Sequence, residues 1–173
     1  MRNIKKIVCI FTVFALIVFS TSCDFQKKSG STVIEPEITP EYLENEYSEQ
    51  LLRDGAEYLF GNVSLKKTQD AQVEVTISAK ELVEDYEGKI LIENRNYEIS
   101  YVLPQEARCT FRKPVDSKTE PDVLTGEQFL KAYEKEIKGM TLEQKKNYDN
   151  SQYYKIYVLN DQIELLLNER VEI

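Results

Sequence analysis

Apolar residues along this chain recur at two spacings, every second position and every fourth. The segment "QVEVTIS" places Val73, Val75 and Ile77 on one side and Glu74 and Thr76 on the other, the period of a half-buried strand. The segment "ELVEDYEG" follows and ends at Gly88. "KILIENRNYEISYVLP" predicts a hairpin, with strand Lys89–Ile92, a polar turn at Asn94-Arg95-Asn96 and strand Tyr97–Leu103 stopped by Pro104. "ARCTFRK" predicts a further strand in which Ala107, Cys109 and Phe111 share a face. The closing "YYKIYVLNDQIELLLNERVEI" predicts two strands joined at Asn160-Asp161, a dipeptide that tolerates the positive φ of a tight turn.

The fourfold spacing predicts helices. Thr39 is placed as an N-cap, with Pro40 in the first helical position and Glu41 in the first turn. Leu43, Tyr47 and Leu51, with Leu52 beside them, form the apolar stripe, and Asp54-Gly55 ends it. "AEYLFGNVSLKK" fits a helical turn or a strand equally well. An irregular stretch, "PVDSKTEPDV", precedes the clearest helix start, a capping box of Thr125 with Gln128. Phe129, Tyr133 and Ile137 supply the buried side and Gly139 stops the helix. Thr141 and Gln144 repeat the device for a second, short helix. The fold class expected is α+β: a curved antiparallel sheet or small open β-barrel, covered by helix 125–138 and carrying an N-terminal helix. The order of elements over 72–171 resembles small β-rich modules of secreted bacterial surface proteins.

The first 22 residues follow a different pattern. Arg2, Lys5 and Lys6 precede an apolar run from Ile7 to Phe19, and small polar residues Ser20, Thr21 and Ser22 lead to Cys23. That is the order of a secretory signal peptide, and the run falls short of the roughly 20 apolar residues a bilayer span needs. Ser20-Thr21-Ser22-Cys23 resembles the lipobox of bacterial lipoproteins: Thr21, Ser22 and Cys23 match, whereas Ser20 stands where Leu is usual. The resemblance implies that Cys23 is diacylated on sulfur and becomes the mature N-terminus. The membrane is then a partner through the lipid anchor, at the extracytoplasmic face of the cell membrane. Ser20 and Ser22 also satisfy the small-x-small rule of ordinary signal cleavage, which would leave Cys23 free. Asp24 resembles the inner-membrane retention signal of some two-membrane bacteria.

The chain therefore divides into a signal peptide, 1–22, a lipidated cysteine with a flexible tether, 23–39, and a single globular domain, 40–173. A flexible chain of the tether's length spans roughly 20–25 Å. With Cys9 removed and Cys23 acylated, Cys109 remains as a lone thiol, suited to burial as a small hydrophobe. A Cys23–Cys109 disulfide is the alternative and requires Cys23 to carry no lipid.

Charge narrows the partners. The 22 basic and 30 acidic residues give a net charge of −8; the signal segment holds three of the basic residues and no acid, which leaves −11 on the mature chain. An acidic body disfavours nucleic acid and anionic headgroups, both of which reward basic patches. The chain has no histidine, so Ser-His and Cys-His nucleophile pairs and histidine-based zinc sites are not available. No Gly-rich phosphate loop, nucleophile elbow or CxxC occurs. No catalytic residue, metal ligand or cofactor is assigned. The acidic cluster Glu81, Glu84, Asp85 and Glu87 lacks the ligand spacing and central glycine of an EF-hand loop and reads as a solvated turn.

Eleven tyrosines remain. Tyr97, Tyr101, Tyr153 and Tyr157 fall in predicted strands and are the candidate binding residues, an aromatic platform for a protein, peptide or glycan if they share an exposed face. Arg108 and Arg112 could pair with carboxylates of a ligand. The function expected is a lipid-anchored, non-enzymatic binding or accessory module of the cell envelope. Two other functions fit: an immunity-type lipoprotein that sequesters a cationic peptide, and a small hydrolase built on two carboxylates across a cleft.

Overall fold

A computed structural model describes residues 37–68, 70, 72–113 and 120–171. The signal segment, Cys23, the tether up to residue 36 and the start of the irregular stretch lie outside the described residues. Helix α1 runs through Pro40–Tyr42, a π-helical segment Leu43–Tyr47 and Ser48–Arg53. Seven strands follow, β1 (Glu57–Lys67), β2 (Val73–Glu84), β3 (Ile90–Leu103), β4 (Arg108–Phe111), β5 (Asp122–Thr125), β6 (Tyr153–Leu159) and β7 (Gln162–Glu169). Helices α2 (Gly126–Glu136) and α3 (Leu142–Ser151) lie between β5 and β6.

The fold is α+β, as the two periods predict. Strands run in the order β3-β2-β1-β6-β7, each antiparallel to its neighbour, and a parallel contact of Val102 with Gln162 joins β3 to β7 and closes the five into a barrel. Farther along β7, β4 pairs in parallel, and β5 extends the sheet antiparallel to β4. Val75, Ile77, Ile156, Ile163 and Leu166 are fully buried inside. Helix α2 lays Phe129 onto this core, edge-on to Phe111 at 5.8 Å and to Tyr154 at 6.0 Å. Its start crosses the β3–β4 loop so closely that a Cβ on Gly126 would lie 2.1 Å from the Pro104 carbonyl oxygen. Both capping boxes form, Thr125 with Gln128 and Thr141 with Gln144.

A second, smaller core lies outside the barrel. Leu43 and Leu51 of α1 bury against Tyr157, Leu165 and Leu167, the outward residues of β6 and β7. In an unbroken α-helix, residues eight apart drift by about 80° around the axis; the wider π turns reduce that drift and bring Leu43 and Leu51 onto one side. Leu52, placed beside the stripe by sequence, points away and is 47% exposed.

Three other expectations change. The stretch left open between helix and strand is β1. A short strand, β5, occupies the end of the stretch read as irregular. Most consequentially, Asn94-Arg95-Asn96 is not a turn. β3 runs straight through it and pairs with β2 over its whole length, with a bulge where Ser78 faces Glu98 and Lys80 faces Asn94. Asn96 takes φ 56 there, so the asparagine-rich composition serves a bulge instead. The real turn is Asp85–Lys89: Asp85 Oδ1 accepts from the amides of Glu87 (2.8 Å) and Lys89 (2.9 Å), and Gly88 takes φ 80.

A polar network ties α3 to α2. The Tyr133 hydroxyl donates to Asp149 Oδ1 at 2.8 Å, and Lys145 Nζ donates to Oδ2 at 2.7 Å while lying 5.4 Å from the Tyr133 ring centroid. Asp149 is buried, whereas the Lys145 side chain is 28% exposed. Removing the acid strands a cation and a buried hydroxyl. Asp149→Ala is therefore expected to lower stability by about 2–3 kcal/mol, and Lys145→Met by less, since the carboxylate keeps its Tyr133 bond; equal losses in urea unfolding would reduce the network to a surface ion pair. Cys109 is fully buried with Ala107 and Phe111 as predicted, and burial pushes its thiol pKa far up. A soluble aromatic disulfide reagent is expected to label Cys109 only on unfolding, and rapid labelling of the native protein would contradict this core.

Candidate functional site

β1 changes neighbours at Gly61. Residues Glu57–Gly61 pair with β6, and Gly61–Lys67 pair with β2. A Cβ at Gly61 would lie 2.3 Å from the Ser78 carbonyl oxygen, so only glycine allows the two strands to meet this closely. Past that point, β2 leaves β1 and continues with β3 as a two-stranded ribbon, Lys80–Glu84 against Ile90–Asn94. The bulge next to the parting adds twist to the ribbon. The opening between β1 and the ribbon is a cleft of about 320 Å³, lined by Tyr58, Leu59, Phe60, Ala79, Lys80, Glu81, Leu82, Arg95 and Tyr97. That is the lower end of the size of small-ligand pockets, roughly 300–1,000 Å³.

The four candidate tyrosines do not form one platform. Tyr97 is half exposed in the cleft. Tyr153 and Tyr157 sit on the outer side of β6, one layer behind it: Tyr153 stacks on Phe60 at 5.8 Å, and Tyr157, buried beneath α1, holds its ring 5.4 Å from that of Tyr58. Tyr101 stands apart, opposite Val75 in the ladder, and its hydroxyl donates to Glu57 Oε2 at 3.1 Å. Burial first, and then that bond, raises its pKa. The cleft wall is thus Tyr58 and Phe60 braced by Tyr157 and Tyr153, with Tyr97 on the far side.

Sequence reasoning missed Tyr58, Phe60, Leu82 and Arg95. Tyr58 and Phe60 were legible only as alternate positions of a strand, in the segment whose type stayed open. Composition places Arg95 in a turn; in the bulge it reaches Glu81 at 2.7 Å. Both partners of that pair are about half exposed, so it adds little stability. Lys80 donates to the Asn94 side chain. The predicted acidic cluster does not converge, since Glu81 is held by Arg95 and Asp85 caps the turn; among the described residues no group of three or more His, Cys, Asp or Glu side chains is placed to hold a metal ion.

A second, polar cleft of about 450 Å³ lies between the start of α1 and the end of β7, with Glu41, Glu44, Glu120, Glu169 and Arg112 in its lining. Lys155 bridges Glu44 and Glu169 at 2.8 Å each. Its burial lowers its pKa, but the bonds to Glu169 and Glu44 outweigh that and raise it overall. The bridge ties α1 to the sheet. Arg112 Nε is buried without a hydrogen-bond partner among the described residues.

The cleft and the core make different demands on their tyrosines. Tyr97→Ala is expected to change stability by no more than about 0.5 kcal/mol, and Tyr157→Ala to cost about 3 kcal/mol or more, read from urea midpoints. A large loss from Tyr97→Ala would make Tyr97 a packing residue and not a surface free to bind.

No known protein family, curated protein or solved structure matches this chain.

Proposed function

We propose that this protein is a lipid-anchored binding module on the extracytoplasmic face of a bacterial cell membrane, holding an envelope ligand or partner in the cleft between β1 and the β2–β3 ribbon. The observation that carries the binding role is a concentration of exposed apolar surface. Ten large apolar residues are exposed among the described residues, and six of them, Tyr58, Leu82, Tyr86, Ile90, Leu91 and Tyr97, line the cleft or its ribbon. Scattered singly, such residues need no explanation, but gathered on one feature they mark a contact surface. The lipobox-like Thr21-Ser22-Cys23 and the polar segment after it support the anchor. The carboxylate that lines the cleft, Glu81, is already paired with Arg95, which supports binding over acid–base chemistry here.

The anchor is tested by the mass of the mature N-terminal peptide from protein extracted from its native membrane. Two or three acyl chains on Cys23 are expected; an unmodified Cys23 would remove the membrane from the proposal. The cleft is tested in cells. A strain carrying Tyr58→Ala/Tyr97→Ala is expected to reproduce the growth or permeability change of a deletion strain, and wild-type behaviour of that variant would take the cleft out of the function.

A further inference from the structure

Resting on the binding role proposed for the cleft, we infer that its occupant is an extended, cationic polypeptide segment that adds as a strand to the free edge of the ribbon. Among the described residues, Lys80–Glu84 of β2 pair only with β3, and Tyr58–Phe60 of β1 pair only with β6. Each therefore turns every second backbone N–H and C=O into the cleft. Such groups are strong donors and acceptors awaiting a partner, and an open edge with alternating pockets is how sheets take up extended peptides. Edges are commonly blunted with proline; from Val73 to Leu103 there is none.

Side chains and charge specify the occupant further. The cross-strand pair Leu82 and Ile92 lies on one face of the ribbon, and Glu81 faces Glu93 on the other. A strand laid along this edge alternates in the same way, with apolar side chains toward Leu82 and Tyr58 and the intervening ones toward Glu81. From Lys80 to Arg95 the ribbon carries five acidic residues against three basic ones. Like charges directly opposite are unfavourable in a ladder; Arg95 pairs with Glu81, which leaves Glu93 opposite it as the acid that lysine or arginine on an added strand would relieve. The acidic excess of the ribbon, on a chain of net charge −8, opposes a second copy of this protein at the edge.

The test is hydrogen exchange read by mass spectrometry on the mature protein, extracted in mild detergent. Three probes are compared: a peptide of alternating Lys and Val, the same peptide N-methylated at alternate backbone amides, and an N-acetylglucosamine tetrasaccharide. The unmodified peptide is expected to slow exchange over 80–84 about tenfold, and Leu82→Ala to weaken it about tenfold, while Leu142→Ala, on an exposed helix site, leaves it unchanged. N-methylation, which keeps the charge and removes strand pairing, is expected to abolish the protection. Equal protection by both peptides would overturn strand addition in favour of charge attraction alone. Protection of the cleft by the tetrasaccharide and not by the peptide would overturn the inference and leave the binding module standing. No protection by any probe would overturn both.

Discussion

The structure depends on one hairpin being buried on both of its faces. β6 and β7 turn Ile156, Ile163 and Leu166 into the barrel and Tyr157, Leu165 and Leu167 outward to α1. The double cover fixes register, because a slip by one residue would exchange the two faces. The turn holds that register locally: Asn160 and Asp161 take φ 52 and φ 61, the pair of positive values whose twist matches the flanking strands. α1 has its place only because the outer face exists, and the parallel contacts of β3 and β4 have theirs only because β7 offers its other edge.

The cleft follows from what β1 must do to reach this hairpin. A five-stranded barrel is narrow, and β1 has to serve β6 with one half and β2 with the other. Gly61 is the crossover. On one side of it the β2 edge of β1 stands open as the cleft. On the other side the β6 ladder has ended, and the buried Asn62 side-chain amide donates to the carbonyls of Asn150 at 3.1 Å and Gln152 at 2.8 Å, at the end of α3. β1 is thus tied to the end of α3 by a side chain on one side of Gly61, while on the other its β2-facing edge has no strand neighbour among the described residues.

The parts of the fold governed by local chemistry were legible in the sequence. Both capping boxes, the Thr39 cap, the glycine stops and the Asn160-Asp161 turn are decided within four residues, and each forms where it was placed. What was not legible depends on partners distant in the chain. Asn94-Arg95-Asn96 carries turn composition, yet β2 pairs on both sides of it, and ladder bonds outweigh a local preference. Tyr157 looked like a surface aromatic because its strand alternates; only α1, more than a hundred residues earlier, buries it. The candidate site suffered most. Its wall, Tyr58 and Phe60, belongs to the segment with no clear period, and its opening is produced by a glycine whose importance lies in a contact with Ser78.

An open strand edge is a hazard in any cell compartment, since it invites pairing with other chains. This fold retains one, with Leu82 half exposed beside it, on a ribbon where the acids Glu81, Glu84, Asp85, Glu87 and Glu93 outnumber the bases Lys80, Lys89 and Arg95. Stability gives no reason for this. Glu81 and Glu93 oppose each other directly, and the Arg95 pair that offsets them is too exposed to return much. A surface selected only to stay soluble could have closed the edge with a proline. Acids exclude like-charged chains, this protein's own copies among them, but leave the backbone groups accessible. For the binding role proposed above, that combination would discriminate between partners by charge and hold the accepted one by its main chain, the division of labour of a binding edge.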